Sequence, residues 1–190
     1  MGNASQDGKE VNLANLNNWA LSIEAFRWIR NHIPDNATII EFGSGTGTIE
    51  LARFYTVYTV EQNIEFVGKA VHAHYIHAPL AEGWYDADVV FTNLPTEYSL
   101  VIVDGPIDCF WNTPVTKEKD STIGCRRGMD AHLSKFRTDV PFLFDDTHRE
   151  YDRSHAILVA ASLNRPWHEE IGWQKNFIIV AHDPLHSVVA

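Results

Sequence analysis

Residues 38–52 read "TIIEFGSGTGTIELA", from Thr38 to Ala52. An apolar, β-branched run leads into Glu41. Gly43, Gly45 and Gly47 then fall at every second position, and a helix-forming run follows. The first part predicts a buried strand over residues 38–42, and the last a helix over residues 48–55. Glycine permits positive φ and lacks the Cβ that blocks close approach to the backbone. A glycine turn between a strand and a helix therefore points to a ligand lying against the main chain. The competing explanation is a turn used only to pack helix on strand.

Working outward, Leu16, Trp19, Ile23, Phe26, Ile29 and Ile33 recur at steps of three and four, with Pro34 just beyond. That is one face of a helix. Residues 56–60 predict a second strand ending at Glu61, followed by a short helix over 62–70 and a weaker third strand over 72–76. A short helix is expected near 88–93. The run "LVIV" at 100–103 predicts a fourth strand, ended by Asp104 and Gly105-Pro106. A long polar loop is expected over 107–128 and a helix over 129–136. "PFLFDD" predicts a fifth strand ending at Asp145 and Asp146. A helix over 150–163 and a closing hairpin, 167–171 with 177–182 around "GWQKN", complete the chain. Strands alternating with helices predict an α/β domain with a mostly parallel sheet, and continuous apolar strands suit a sheet covered on both faces. Residues 1–12 are expected to be a mobile tail and residues 13–190 one domain.

Of 190 residues, 45% are hydrophobic and 21% charged, enough to bury a core. The formal net charge of -10 argues against phosphate-backbone binding and against docking on anionic membrane. Two cysteines, Cys109 and Cys125, are too few for a disulfide framework and suggest free thiols in a reducing cytoplasm. No segment has the ~18 apolar residues that a bilayer span needs.

The glycine spacing is not the G-x-G-x-x-G of a dinucleotide site, and no Lys-Ser/Thr pair follows to make a P-loop. Glu41, just before the glycines, would repel phosphate and attract a cation. Glu61, ending the second strand, can accept both hydroxyls of a ribose. Two acids around a glycine turn describe a site for a nucleoside carrying positive charge, and S-adenosyl-L-methionine has that chemistry. An NAD site is the alternative ligand.

Residues 38–63 resemble motif I and its following acid in class I S-adenosylmethionine-dependent methyltransferases. The resemblance implies a Rossmann-like, seven-stranded, mostly parallel sheet flanked by helices, whose last strand is antiparallel. It implies that Glu41, Gly43, Ser44, Gly45, Thr46 and Gly47 border the methionine part, and that Glu61 with Gln62 holds the ribose. Members often carry an acid after the third strand for the adenine amine. Here "YIHAPL" stands instead, which leaves the backbone around Ala78 for that contact.

Asp104, Asp145 and Asp146 end the fourth and fifth strands. Converging carboxylates repel one another unless a cation or a proton intervenes. One remedy is a divalent metal such as Mg, bound by Asp104, Asp145 and Asp146. The other is a carboxylate working as general base, Asp104 or Asp145, with His148 or Arg149 offsetting charge. Capping of the following helix is a third, purely structural role. "IVDGP" and "FLFDDTH" resemble the metal-binding arrangement of catechol-type O-methyltransferases, departing at Asp146, where Asn is usual, and at Gly105-Pro106. They also resemble an uncharacterised bacterial group with VDGP followed by DD-x-x-R, in which Asp104, Asp145, Asp146 and Arg149 all fall on the pattern.

Arg126, Arg127 and Arg149 are candidates for gripping an anionic acceptor, and Trp111 for stacking on a ring. His72, His74 and His77 lack the companion ligands of a zinc site. The expected activity is methyl transfer to oxygen of a small molecule or sugar, with no nucleic-acid or membrane partner. A non-catalytic nucleoside-binding module and an aminopropyl transferase are the alternatives.

Overall fold

The computed structural model describes residues 20–106 and 125–183. The expected tail, Leu16, Trp19, Cys109 and Trp111 lie outside the described residues.

The strands are β1 (Thr38–Phe42), β2 (Thr56–Glu61), β3 (His74–His77), β4 (Leu80–Ala81), β5 (Trp84–Tyr85), β6 (Leu100–Val103), β7 (Phe142–Phe144), β8 (Trp167–Glu170) and β9 (Phe177–Val180). The helices are α1 (Ile23–His32), α2 (Thr46–Leu51), α3 (Ala87–Asn93) and α4 (Glu150–Ser162), with a 3-10 helix over Arg126–Lys135. Seven strands form one sheet in the order β3-β2-β1-β6-β7-β9-β8. Only β9 runs against the others, paired antiparallel with β7 and β8. The Rossmann-like architecture expected from the sequence is the one observed.

Apolar strands lie between two helical layers. Ile39, Val57, Leu100 and Ile102 pack on α1 through Ala25, Phe26 and Ile29, and on Leu51 of α2. Ile40, Phe42, Val101 and Val103 face α3, the 3-10 helix and α4 through Val90, Met129 and Val159. Side chains alternate across a strand, so Glu41 shares the face of Ile39 and meets α2.

Several elements differ from expectation. α1 begins at Ile23 because the Ser22 side chain accepts from the Ala25 N–H and caps it. Residues 62–70 form turns rather than a helix: Asn63 Oδ1 accepts from the Glu65 N–H, and Gly68 takes φ +83. α2 stops at Leu51 so that Phe54 and Tyr55 can be buried before β2. The β4–β5 hairpin, unforeseen, turns on Glu82 and Gly83, both at positive φ. A 3-10 helix begins at Arg126, inside the expected loop.

Parallel register aligns the strand tips. Val60, Phe42, Val103 and Phe144 are neighbours across β2, β1, β6 and β7. The next residue on each strand is Glu61, Gly43, Asp104 and Asp145. The ladder carries into this row: Gly43 N–H donates to Val60 O at 2.9 Å, Asp104 N–H to Phe42 O at 3.0 Å, and Asp145 N–H to Val103 O at 3.1 Å. Four adjacent strands spaced ~4.8 Å apart make a row about 14 Å long.

Candidate active site

The strand order reverses between β1 and β6, and there the glycine loop begins. Gly43 has φ +91, and a Cβ on it would lie 3.0 Å from Gly105 N. A Cβ on Gly105 would lie 2.8 Å from Gly43 Cα and would collide with the Tyr85 hydroxyl. These two glycines let the β1 and β6 loops touch. Gly45 differs, because a Cβ there meets nothing within 4 Å among the described residues. Its backbone is extended, and the space beside it is open. Gly47 makes only ordinary contacts with Ala20 and Leu21. The three glycines thus divide their work: Gly43 serves packing, and Gly45 keeps space beside the main chain.

Both glutamates brace this loop. Glu61, buried at the tip of β2, accepts on Oε2 from Ser44 N at 3.0 Å and Ser44 Oγ at 2.9 Å, and on Oε1 from Asn63 N at 2.7 Å. A carboxylate offers about four acceptor sites, so one remains, and rotation of the Ser44 hydroxyl frees a second. Glu41 Oε2 accepts from Thr48 Oγ1 at 2.8 Å, and that hydroxyl accepts from Gly45 N at 2.9 Å. Burial pushes the Glu41 carboxyl up to about 7, against the pull of the Thr48 and Thr59 hydroxyls. Only 3% exposed, Glu41 supports the loop from within rather than presenting charge to a cation.

Beyond Glu61, Ala78 is fully buried and its N–H donates to Glu61 O at 3.0 Å. That one amide of the backbone around Ala78 is committed to the sheet. Gln62 O bonds the exposed His77 ring at 3.2 Å. Thr46 opens α2, half-buried.

The other half of the row is a buried ion network. One oxygen each of Asp104, Asp145 and Asp146 lies within 4.8 Å of the others. Arg126 Nη2 lies 3.1 Å from Asp104 Oδ1 and 3.0 Å from Asp146 Oδ2, and Nη1 lies 3.3 Å from Asp152 Oδ1. Arg126 also donates to the backbone carbonyls of Asp145 and Asp104. Lys175 Nζ lies 2.5 Å from Asp145 Oδ2 and 3.3 Å from Asp146 Oδ1. Arg149 joins Asp146 at 2.8 Å and Asp152 at 2.5 Å.

Burial, then repulsion from Asp145, pushes the Asp104 carboxyl well above the usual carboxylate range despite Arg126 and Lys175. Burial likewise raises Asp145, against Lys175. At Asp146 burial loses to Arg126, Lys175 and Arg149, and the carboxyl is lowered. Burial pulls the Lys175 ammonium down, but Asp145, Asp104 and Asp146 outweigh it and the group is raised. Asp104 is the most exposed of the four acids at 19%, against 16% for Asp146, 3% for Asp152 and none for Asp145.

The expectations for Arg126 and Arg127 are corrected here. Arg126, read in the sequence as a grip on an anionic acceptor, is buried and committed to carboxylates. Arg127 is turned to α4, donating to Ser154 Oγ at 2.6 Å and stacking over Tyr151. His148 is exposed and belongs to none of the ion pairs just described. Sequence reasoning missed Lys175, which sat inside a presumed turn, and Asp152. It also missed Tyr85, whose buried hydroxyl has no hydrogen-bond partner among the described residues. A Lys between Gln174 and Asn176 carries no periodic signal that would have marked it.

A cavity of about 500 Å³ lined by Trp28, Tyr98, Arg137 and His182 lies at the opposite edge of the sheet, away from this row. Among the described residues, no helix is long and apolar enough to cross a membrane.

No protein-family profile matches the chain, and no curated protein matches its sequence. Solved structures do. A candidate caffeoyl-CoA O-methyltransferase from Staphylococcus aureus aligns with TM-score 0.51 at 11% identity, over 83% of this chain and 81% of its own. An S-adenosylmethionine-dependent methyltransferase from Aquifex aeolicus aligns with TM-score 0.50 at 10% identity, over 85% of this chain and 89% of its own. A candidate rRNA methylase from Clostridium thermocellum aligns with TM-score 0.49 at 9% identity, over 83% of this chain and 95% of its own. At such identities the likeness is one of fold: this chain has the class I methyltransferase fold.

Proposed function

We propose that the chain is an S-adenosylmethionine-dependent methyltransferase that acts on an oxygen of a small molecule or sugar. The observation that carries this reading is the row at the strand tips. An acid with acceptor capacity left for a ribose hydroxyl, Glu61, stands at one end, space left open by the described residues lies beside Gly45, and a partly exposed carboxylate, Asp104, stands two strands from Glu61. The residues fit the cofactor: the Gly43–Gly47 loop would border its methionine part, and Glu61 with Gln62 its ribose. When bound, it supplies a methyl group already activated on sulfur.

The chain's own share is alignment of the acceptor and removal of its proton. Asp104 is the base. Its raised proton affinity suits taking a hydroxyl proton, and its exposure exceeds that of Asp145, Asp146 or Asp152. Net charge of -10 supports a small acceptor over nucleic acid.

Calorimetry with S-adenosylhomocysteine tests the cofactor. Binding with Kd tighter than about 1 mM is expected, and no heat at that concentration ends the reading. Gly45→Val is the matched variant, since its side chain enters space that the described residues leave empty. Affinity should fall at least about tenfold, with stability changed by less than about 1 kcal/mol. Asp104→Asn should slow transfer about a hundredfold or more with affinity for S-adenosylhomocysteine kept. An unaltered rate removes Asp104 as base.

One observation favours the non-catalytic binding module instead: Arg126, Lys175 and Arg149 already pair with all four acids of the cluster. Product mass decides, one methyl heavier for transfer, an aminopropyl for the third alternative, unchanged for a module.

A further inference from the structure

Asp104, Asp145 and Asp146 have the oxygen chemistry of a divalent-cation site, and their ligand atoms lie within 4.8 Å of one another. The positions a cation would take between them are already filled. Arg126 Nη2 bridges Asp104 and Asp146, at 3.1 and 3.0 Å. Lys175 Nζ bridges Asp145 and Asp146, at 2.5 and 3.3 Å. Each side chain is 5% exposed. Two unit charges equal that of one Mg ion, and they bond the same carboxylates that a metal would need.

Arg126 is also held from behind. Nη1 donates to the Asp145 carbonyl at 3.0 Å and pairs with Asp152, while Nη2 donates to the Asp104 carbonyl at 2.5 Å. A metal entering the cluster must expel a guanidinium that keeps these bonds only where it now lies. Buried charges resist separation because water no longer compensates them. The residues do not fit a resident metal.

We propose that Arg126 and Lys175 stand in charge and in place for a divalent metal, so that the acid cluster works as a metal-free centre. The consequence for the acceptor deepens the proposed function and rests on it. A metal site would select two vicinal oxygens, whereas one partly exposed carboxylate, Asp104, beside a fixed guanidinium needs one hydroxyl. The metal-free character itself does not depend on that reading.

The test is metal titration of the full chain without nucleoside, after chelator treatment, with MgCl2 and MnCl2, read by calorimetry and thermal unfolding. The native protein should show no saturable binding and no shift in Tm. Stoichiometric binding by the native protein that disappears in Asp104→Asn would overturn the proposal. The double variant Arg126→Met, Lys175→Met vacates the two positions and should bind Mn at least about a hundredfold more tightly than the native chain. A folded double variant that gains no Mn binding also overturns it. If that variant does not fold, the native titration decides alone. S-adenosylhomocysteine is absent throughout, so failure of the cofactor reading leaves the metal result standing, and the converse holds.

Discussion

Glu41 and Glu61, on the β1–β2 side of the strand-tip row, meet neutral donors: the hydroxyls of Ser44 and Thr48 and the backbone of Ser44 and Asn63. Asp104, Asp145, Asp146 and Asp152, on the β6–β7 side, meet Arg126, Lys175 and Arg149. The first set is built from close sequence neighbours and shapes a loop. The second draws on the 3-10 helix, the start of α4 and the β8–β9 turn, and balances charge in the interior. One sheet edge thus carries two solutions to buried acids. The neutral one leaves acceptor capacity on Glu61 for a ligand, and the ionic one ties its acids to cations and leaves Asp104 as the acid most open to solvent.

This contrast makes unequal demands on stability. Arg126→Met leaves Asp104 without an ion pair among the described residues and takes one partner each from Asp146 and Asp152, and should destabilise the fold by about 3–5 kcal/mol in chemical denaturation. A loss under about 1 kcal/mol would mean that the network is not holding the β6–β7 tips together.

Glu41 comes next. Its carboxyl is raised from 4.5 to about 7 in the folded chain, so between those pH values the native state binds more protons than the unfolded state. Its contribution to stability is complete below pH 4.5 and is lost as pH rises through about 7. The shift corresponds to about 3 kcal/mol. Glu41→Gln removes that slope, so the native-minus-variant difference in unfolding free energy should fall by this amount across the window. A difference that stays flat with pH would show that Glu41 is not desolvated.

Ser44→Ala should cost the least, about 1 kcal/mol, because the Ser44 N–H still bonds Glu61 after the hydroxyl is gone. The measurement is again unfolding free energy. A cost as large as that of Arg126→Met would erase the distinction between the two sides.

Much of the fold was legible because it rests on strong local signals. β1, β2, β6, β7 and α4 were placed within a residue or two, since uninterrupted apolar runs and helical spacing report burial directly. The helix expected over 62–70 failed because Asn63 and Gly68 outvote a weak pattern with turn chemistry. The β4–β5 hairpin went unseen because two-residue strands are too short to show a period.

The site divides in the same way. The glycine loop and Glu61 were readable because the chain brings them together through one short strand–helix–strand unit. Arg126 was noticed but given to the acceptor, and Lys175 was passed over. Their roles depend on which distant loops fold onto the β6 and β7 tips.

By itself the sequence determined the alternation of strands and helices, the glycine turn and the acids that end β2, β6 and β7. Periodicity and turn chemistry act over a few neighbouring residues. Only the tertiary structure decided the register that sets Glu61, Gly43, Asp104 and Asp145 in one row, and which cations neutralise its acids. Charge pairing in a dry interior depends on distances of a few ångströms between residues far apart in the chain, and no local pattern encodes those distances.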